Sequence, residues 1–151
     1  MNAPVDVLEM IRASMVHTVP FAKHVGIELT ELGEGTATAT LAQRPETTNH
    51  MRSLHAGALF TLAETAAGGA VAGAFAPFMM GMKAFPKGLS IDLARPARGK
   101  CSATARIVGD VATLAETLRS ERRVAFKTEV EVVGDQDTVA TLSSEWEVRL
   151  R

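Results

Sequence analysis

The chain has 151 residues, 46% of them hydrophobic and 22% charged. That is the size and composition of one folded domain with a core of its own, and it excludes a disordered chain. Sixteen Lys and Arg against seventeen Asp and Glu leave a net charge of -1, which sets aside a dedicated nucleic-acid binder; the lone cysteine, Cys101, excludes an internal disulfide and a cysteine-cluster metal site.

In chain order, Met1 to Asp6 lack the basic start and apolar run of a signal peptide, so the expectation is a cytoplasmic protein with a single domain over 1–151. After Pro4, the spacing of Leu8, Ile11 and Met15 predicts an amphipathic helix over 4–19. Gly26 to Leu32 is a first strand candidate. Gly33-Glu34-Gly35 makes a turn, and Thr36 to Leu41 alternates as a second strand.

From Ala56 to Ala76 there are 21 residues with one charge, Glu64. That length would span a bilayer, and Gly69 and Gly73 have the spacing of a membrane packing motif. A carboxylate inside a span costs about 2.5–3.5 kcal/mol even on the lenient insertion scale. The run is also mostly Ala and Gly, with no aromatic belt. It therefore reads as a helix over about 55–76 enclosed by the rest of the fold, with no membrane contact, ended by Pro77.

Phe75 to Pro86 holds three Met and three Phe. It reads as a core or interface patch, with Met82 available to an adaptable apolar pocket. Leu89 to Ala94 predicts a third strand, stopped by Pro96, and Ser102 to Val108 a fourth. Asp110 to Arg119 is read as a short helix or an ordered loop. Val124 to Val132 and Thr138 to Arg149 close the chain as strands five and six, with Trp146 on the apolar face of the last. Six strands and one apolar helix predict an α+β fold, a six-stranded antiparallel sheet wrapped round the long central helix.

No G-x-S-x-G elbow, H-E-x-x-H, P-loop or G-x-G-x-x-G occurs. The four histidines, at 17, 24, 50 and 55, have no metal-ligand spacing, so no metal is expected. The basic runs Arg95 to Lys100 and Arg119 to Arg123 read as solvated turns, with Arg122 and Arg123 as a weaker candidate surface for nucleotide phosphates.

What remains is the polar loop Asn49 to His55 running into the apolar helix, with Glu64 nine residues after His55. The amides of Ala56 and Gly57, in the helix's first turn, have no helical acceptor and lie at the positive end of the dipole, a place for a developing oxyanion. Glu64, among Phe60, Thr61, Ala67 and Gly68, is in surroundings that favour a general base or nucleophile. Nine residues put His55 and Glu64 on opposite faces, about 13–14 Å apart along the axis. One chain cannot bring both to one carbonyl, so joint action requires a homodimer with shared sites, alone or as a dimer of dimers.

This segment resembles the signature of hotdog-fold acyl-CoA thioesterases of the phenylacetate-degradation (PaaI-like) type. Their pattern is Asn or Gln, five residues, His-Gly-Gly, then Asp or Glu nine residues after the His. Asn49, His55 and Glu64 stand at those spacings. The likeness extends through Phe21 to Leu32, Leu89 to Pro96 and Val139 to Trp146. It implies the hotdog fold and Glu64 as base or nucleophile from one subunit. From the other subunit it implies an amide after His55, at Ala56 or Gly57, on the carbonyl oxygen, with Asn49 and His55 orienting thioester or water. Phe60, Thr61, Thr65, Ala56 and Met82 are the expected substrate contacts. The substrate would be an acyl-CoA thioester, with no cofactor beyond the CoA it carries. This chain departs in reading His55-Ala56-Gly57 for His-Gly-Gly, and in carrying Gly68 where a Ser or Thr is often found. Two other readings compete: a hotdog hydratase or dehydratase using His50 with Glu64, and a non-catalytic acyl-CoA-binding dimer.

Overall fold

A computed structural model of the chain describes residues 5–151, with side chains from residue 7 onward. In chain order it forms helices α1 (Val5–Thr18) and α2 (Pro20–Val25), strands β1 (Glu28–Leu32) and β2 (Thr36–Leu41), then the long helix α3 (Ala56–Ala74). Strands β3 (Met82–Leu93) and β4 (Cys101–Val108) follow, then α4 (Val111–Glu121), β5 (Arg123–Val133) and β6 (Thr138–Leu150). All six strands join one antiparallel sheet in the order β1-β2-β4-β5-β6-β3. It wraps round α3, which is the hotdog arrangement.

The period-two alternation explains the sheet. In β5, Val124, Phe126, Thr128, Val130 and Val132 are buried and the residues between them exposed. β6 repeats the pattern through Leu142, Ser144, Trp146 and Val148. One face therefore meets the helix and the other meets water. α3 supplies Leu59, Leu62, Ala66, Ala70 and Val71 to the same core as Ala37, Ala39, Ala103 and Ala105 of the sheet.

Small side chains on both surfaces let helix and sheet come unusually close. A Cβ on Gly69 would stand 2.9 Å from the Cβ of Ala37, and one on Gly73 only 1.9 Å from the carbonyl oxygen of Gly33. Gly68 is different, because a Cβ there would meet Met15 Cε at 3.4 Å and Trp146 Cη2 at 3.8 Å, ordinary contact distances. Gly68→Ala is therefore expected to raise stability by about 0.5–1 kcal/mol through helix propensity, measured by urea denaturation.

Several boundaries differ from the sequence expectations. The helix expected over 4–19 ends at Thr18, and Pro4 lies outside the described residues. Pro20 holds Val19 extended, at φ -117° and ψ 91°, and opens a second short helix. β1 starts at Glu28, because Gly26 is the left-handed cap of α2 at φ 93°. The central helix runs 56–74 rather than 55–76, with His55 as its N-cap.

Asp110 caps α4 by accepting the Thr113 amide at 2.9 Å, so this segment is a helix. β3 begins at Met82, seven residues before the predicted Leu89, and carries Pro86 beside a register shift. Pro is tolerated there because β3 is an edge strand. The Phe75–Pro86 patch accordingly divides. Phe75 is fully buried against Phe126, with ring centroids 5.3 Å apart, whereas Met80 and Phe85 are exposed.

Candidate active site

The loop before α3 is built by Asn49. Its Oδ1 accepts the Met51 amide at 2.9 Å and the Ser53 amide at 3.2 Å, and the buried Ser53 hydroxyl lies within bonding distance of both ends of the carboxamide. The side chain is thus spent on closing a turn. The loop then docks on its surroundings: Leu54 donates its amide to Ala97 O at 2.7 Å, and His55 donates to Thr47 O at 2.8 Å. His55 enters α3 with φ -62° and ψ 141°, and its Nδ1 accepts the Gly57 amide at 2.8 Å. With Nδ1 an acceptor, the neutral ring carries its proton on Nε2.

This cap changes the expected oxyanion donors. The sequence leaves the Ala56 and Gly57 amides both free, but Gly57's is taken by His55. Ala56, the first helical residue, is exposed, and its amide has no acceptor among the described residues. The departure from His-Gly-Gly therefore falls on the residue that keeps the free donor.

Between Ala58 and Ala74 every helical residue is buried except Phe60, Glu64 and Gly68. Their spacing of four places them in one stripe, which the described residues leave only half covered. Glu64 is half-buried there without a hydrogen bond or ion pair among the described residues. Desolvation pushes its carboxyl above the usual glutamate range. The folded state thus holds the proton more tightly than the unfolded chain, so the ionised carboxylate weakens the fold. The penalty is absent below pH 4.5, the ordinary value, and grows as pH rises through the folded value. Glu64→Gln is expected to raise Tm at pH 7 and to lose that advantage on acidification, which thermal melts across pH 3.5–7.5 would check.

Thr61 and Thr65 were expected as substrate contacts. Both are buried beside the stripe, and their hydroxyls donate back to Gly57 O at 2.8 Å and Thr61 O at 2.7 Å. Phe60 does lie on the stripe. Met82 pairs with Leu150 at the start of β3, while α3 begins beside Ala97, beyond the strand's far end. The structure does not bring Met82 to the helix start of its own chain. His50 is exposed in the loop.

Sequence reasoning missed the cleft formed against the start of α3 by α2. It is lined by Phe21, His24, Val25, Arg44, His55 and Gly57 among others. The available signals were the phenylalanine just after Pro20 and the lone basic residue Arg44 before Pro45.

No helix among the described residues is long and apolar enough to cross a membrane. Among curated proteins, the chain is similar to the acyl-coenzyme A thioesterase PaaI of Escherichia coli, 28% identical over 121 residues, covering 80% of this chain and 76% of that one. Solved structures with the same fold include a protein of Pseudomonas aeruginosa described as a "probable thioesterase". It matches with a TM-score of 0.84, 22% identity and coverage of 100% of this chain and 99% of its own. The E. coli PaaI protein of the phenylacetic acid degradation operon matches with a TM-score of 0.68, 23% identity and coverage of 99% and 96%. One family spans residues 8–148, nearly the whole chain, and this hotdog protein therefore belongs to it: the family described as "Domain of unknown function (DUF4442)".

Proposed function

We propose that the protein is an acyl-CoA thioesterase acting as a homodimer with two shared sites. The observation that carries this reading is the half-covered stripe of α3. It holds one desolvated carboxylate, Glu64, without a partner among the described residues, on a helix whose N-terminus keeps a free amide at Ala56. The similarity to an acyl-coenzyme A thioesterase over 80% of the chain supports the same chemistry.

In this mechanism the Ala56 amide of one subunit binds the thioester carbonyl oxygen at the positive end of the helix. Glu64 of the other subunit takes a proton from water as the water oxygen bonds to the carbonyl carbon. The C–S bond then breaks, the acid is released, and the proton passes to the departing CoA thiolate. His55 Nε2–H and Asn49, through the loop it closes, position the substrate. CoA enters only as part of that substrate.

The dimer is supported by the 12-residue strand β3, which pairs with β6 on one side and is an uncovered edge on the other among the described residues. Phe85 and Leu93 on it are 38% and 51% exposed. A long exposed edge carrying such side chains can be closed by pairing with a second copy. Thiol release from short, medium, long and aryl acyl-CoAs tests the activity, and sedimentation tests the assembly. Release from at least one thioester by a dimer is expected. A monomer that hydrolyses thioesters would defeat the shared site, and absence of thiol release from every substrate would defeat the thioesterase reading.

A further inference from the structure

The cleft between α2 and the start of α3 measures about 450 Å³, and apart from His55 none of the residues lining it has a part in the proposed chemistry. Its outer wall is Phe21, a large aromatic side chain left 64% exposed. Val25 and Ala58 add apolar surface, and His24 and Glu46 add polar groups. His55 and Gly57, the residues flanking the free Ala56 amide, also line it.

The cleft is preformed. Arg44 donates from one guanidinium nitrogen to the last carbonyls of α2, His24 O and Val25 O, each at 2.7 Å. Three residues on, Thr47 O accepts the His55 amide at 2.8 Å. The segment 44–47 therefore ties the wall that carries Phe21 to the start of α3, so little ordering cost is left for a ligand.

We infer that this cleft holds the pantetheine arm of the CoA thioester and that Phe21 is its principal contact; the assignment rests on the thioesterase reading. The arm leaves the carbonyl bound at Ala56 and must run outward to solvent, and the cleft is lined by both residues that flank that amide. Its mixed apolar and polar lining matches an arm that joins two amides through short methylene units to one gem-dimethyl carbon. His24 and Glu46 lie exposed along it, where polar groups of the arm can meet them beside water.

Phe21→Ala tests this without threatening the fold, because the side chain is mostly exposed. Steady-state kinetics would compare two acyl-CoAs of different chain length with the N-acetylcysteamine thioesters of the same acids, which lack most of the arm. The expected result is a KM raised about 5–10-fold for both acyl-CoAs, kcat little changed, and no effect on the truncated thioesters. Unchanged KM for acyl-CoA, an equal rise with the truncated substrates, or a rise that scales with acyl length would each overturn the assignment. If wild type releases no thiol, the thioesterase reading falls by itself, and calorimetry with a non-hydrolysable S-alkyl-CoA decides the cleft separately. Binding weakened in Phe21→Ala would sustain it; equal binding by both proteins, or none by wild type, would overturn it.

Discussion

Gly73→Ala is expected to destabilise the fold by about 3 kcal/mol or more, despite the better helix propensity of alanine. The new Cβ would stand 1.9 Å from Gly33 O and 3.1 Å from Gly33 C. Both atoms are backbone, in the β1–β2 turn, and Gly33 donates its amide to Thr36 O at 2.8 Å there. No flexible side chain can yield, so the end of α3 must lift from the sheet or the turn must open. Either movement disturbs the packing of Leu32 and Ala74. Gly69→Ala is expected to cost less, since it meets only side-chain carbons of Ala37 and Leu29 at 2.9 and 3.1 Å. With Gly68→Ala stabilising, three glycines within six residues of one helix should order as 68, 69 and 73 from gain to loss. Urea midpoints of the three variants decide it, and a Gly73→Ala protein as stable as wild type would show that helix and turn do not meet this closely.

This gradation explains what could be read from the sequence. That α3 is enclosed was legible, because a run of 21 residues with one charge and few bulky side chains suits neither a membrane nor a solvated surface. β5 and β6 were legible because each has one buried face, which imprints an alternation. The first half of β3 was not. An edge strand exposed on both faces has nothing to bury, so Lys83, Ala84 and Phe85 carry no period. The split at Val19 was hidden because Leu8, Ile11 and Met15 report periodicity only within α1.

At the site, the positions of Asn49, His55 and Glu64 were legible as spacing, but the use of each polar group was not. The spacing cannot say that His55 consumes the Gly57 amide. Nor can it say that Thr61 and Thr65 turn from the stripe into the core, since that depends on which side of α3 the sheet covers. Residues 60, 64 and 68 are separable from 61 and 65 only once the sheet is in place.

Two substitutions that leave the backbone conformation intact are expected to abolish most thiol release separately and restore part of it together. Glu64→Gln keeps the shape of the side chain but cannot accept a proton, and should lower kcat by about 10²–10⁴-fold. Ala56→Pro deletes the single free amide. Proline suits the first helical position, and His55 before it already has the extended ψ of 141° that a following proline requires. Removal of one oxyanion donor should lower kcat by about 10²–10³-fold. Because the carboxylate and the amide lie about 12 Å apart along one helix axis, each working site draws them from different subunits. In a mixed dimer of one Glu64→Gln chain with one Ala56→Pro chain, one of the two sites has both groups intact. Co-refolding equal amounts should therefore restore about a quarter of wild-type activity, since half of random dimers are mixed. In the Ala56→Pro homodimer, residual activity should still rise with pH through the raised value of Glu64, and the Glu64→Gln homodimer should lose that limb of the profile. Activity in the mixture equal to the mean of the two parents would show that the groups do not meet across the interface, and a Glu64→Gln protein as active as wild type would return Glu64 to a structural role.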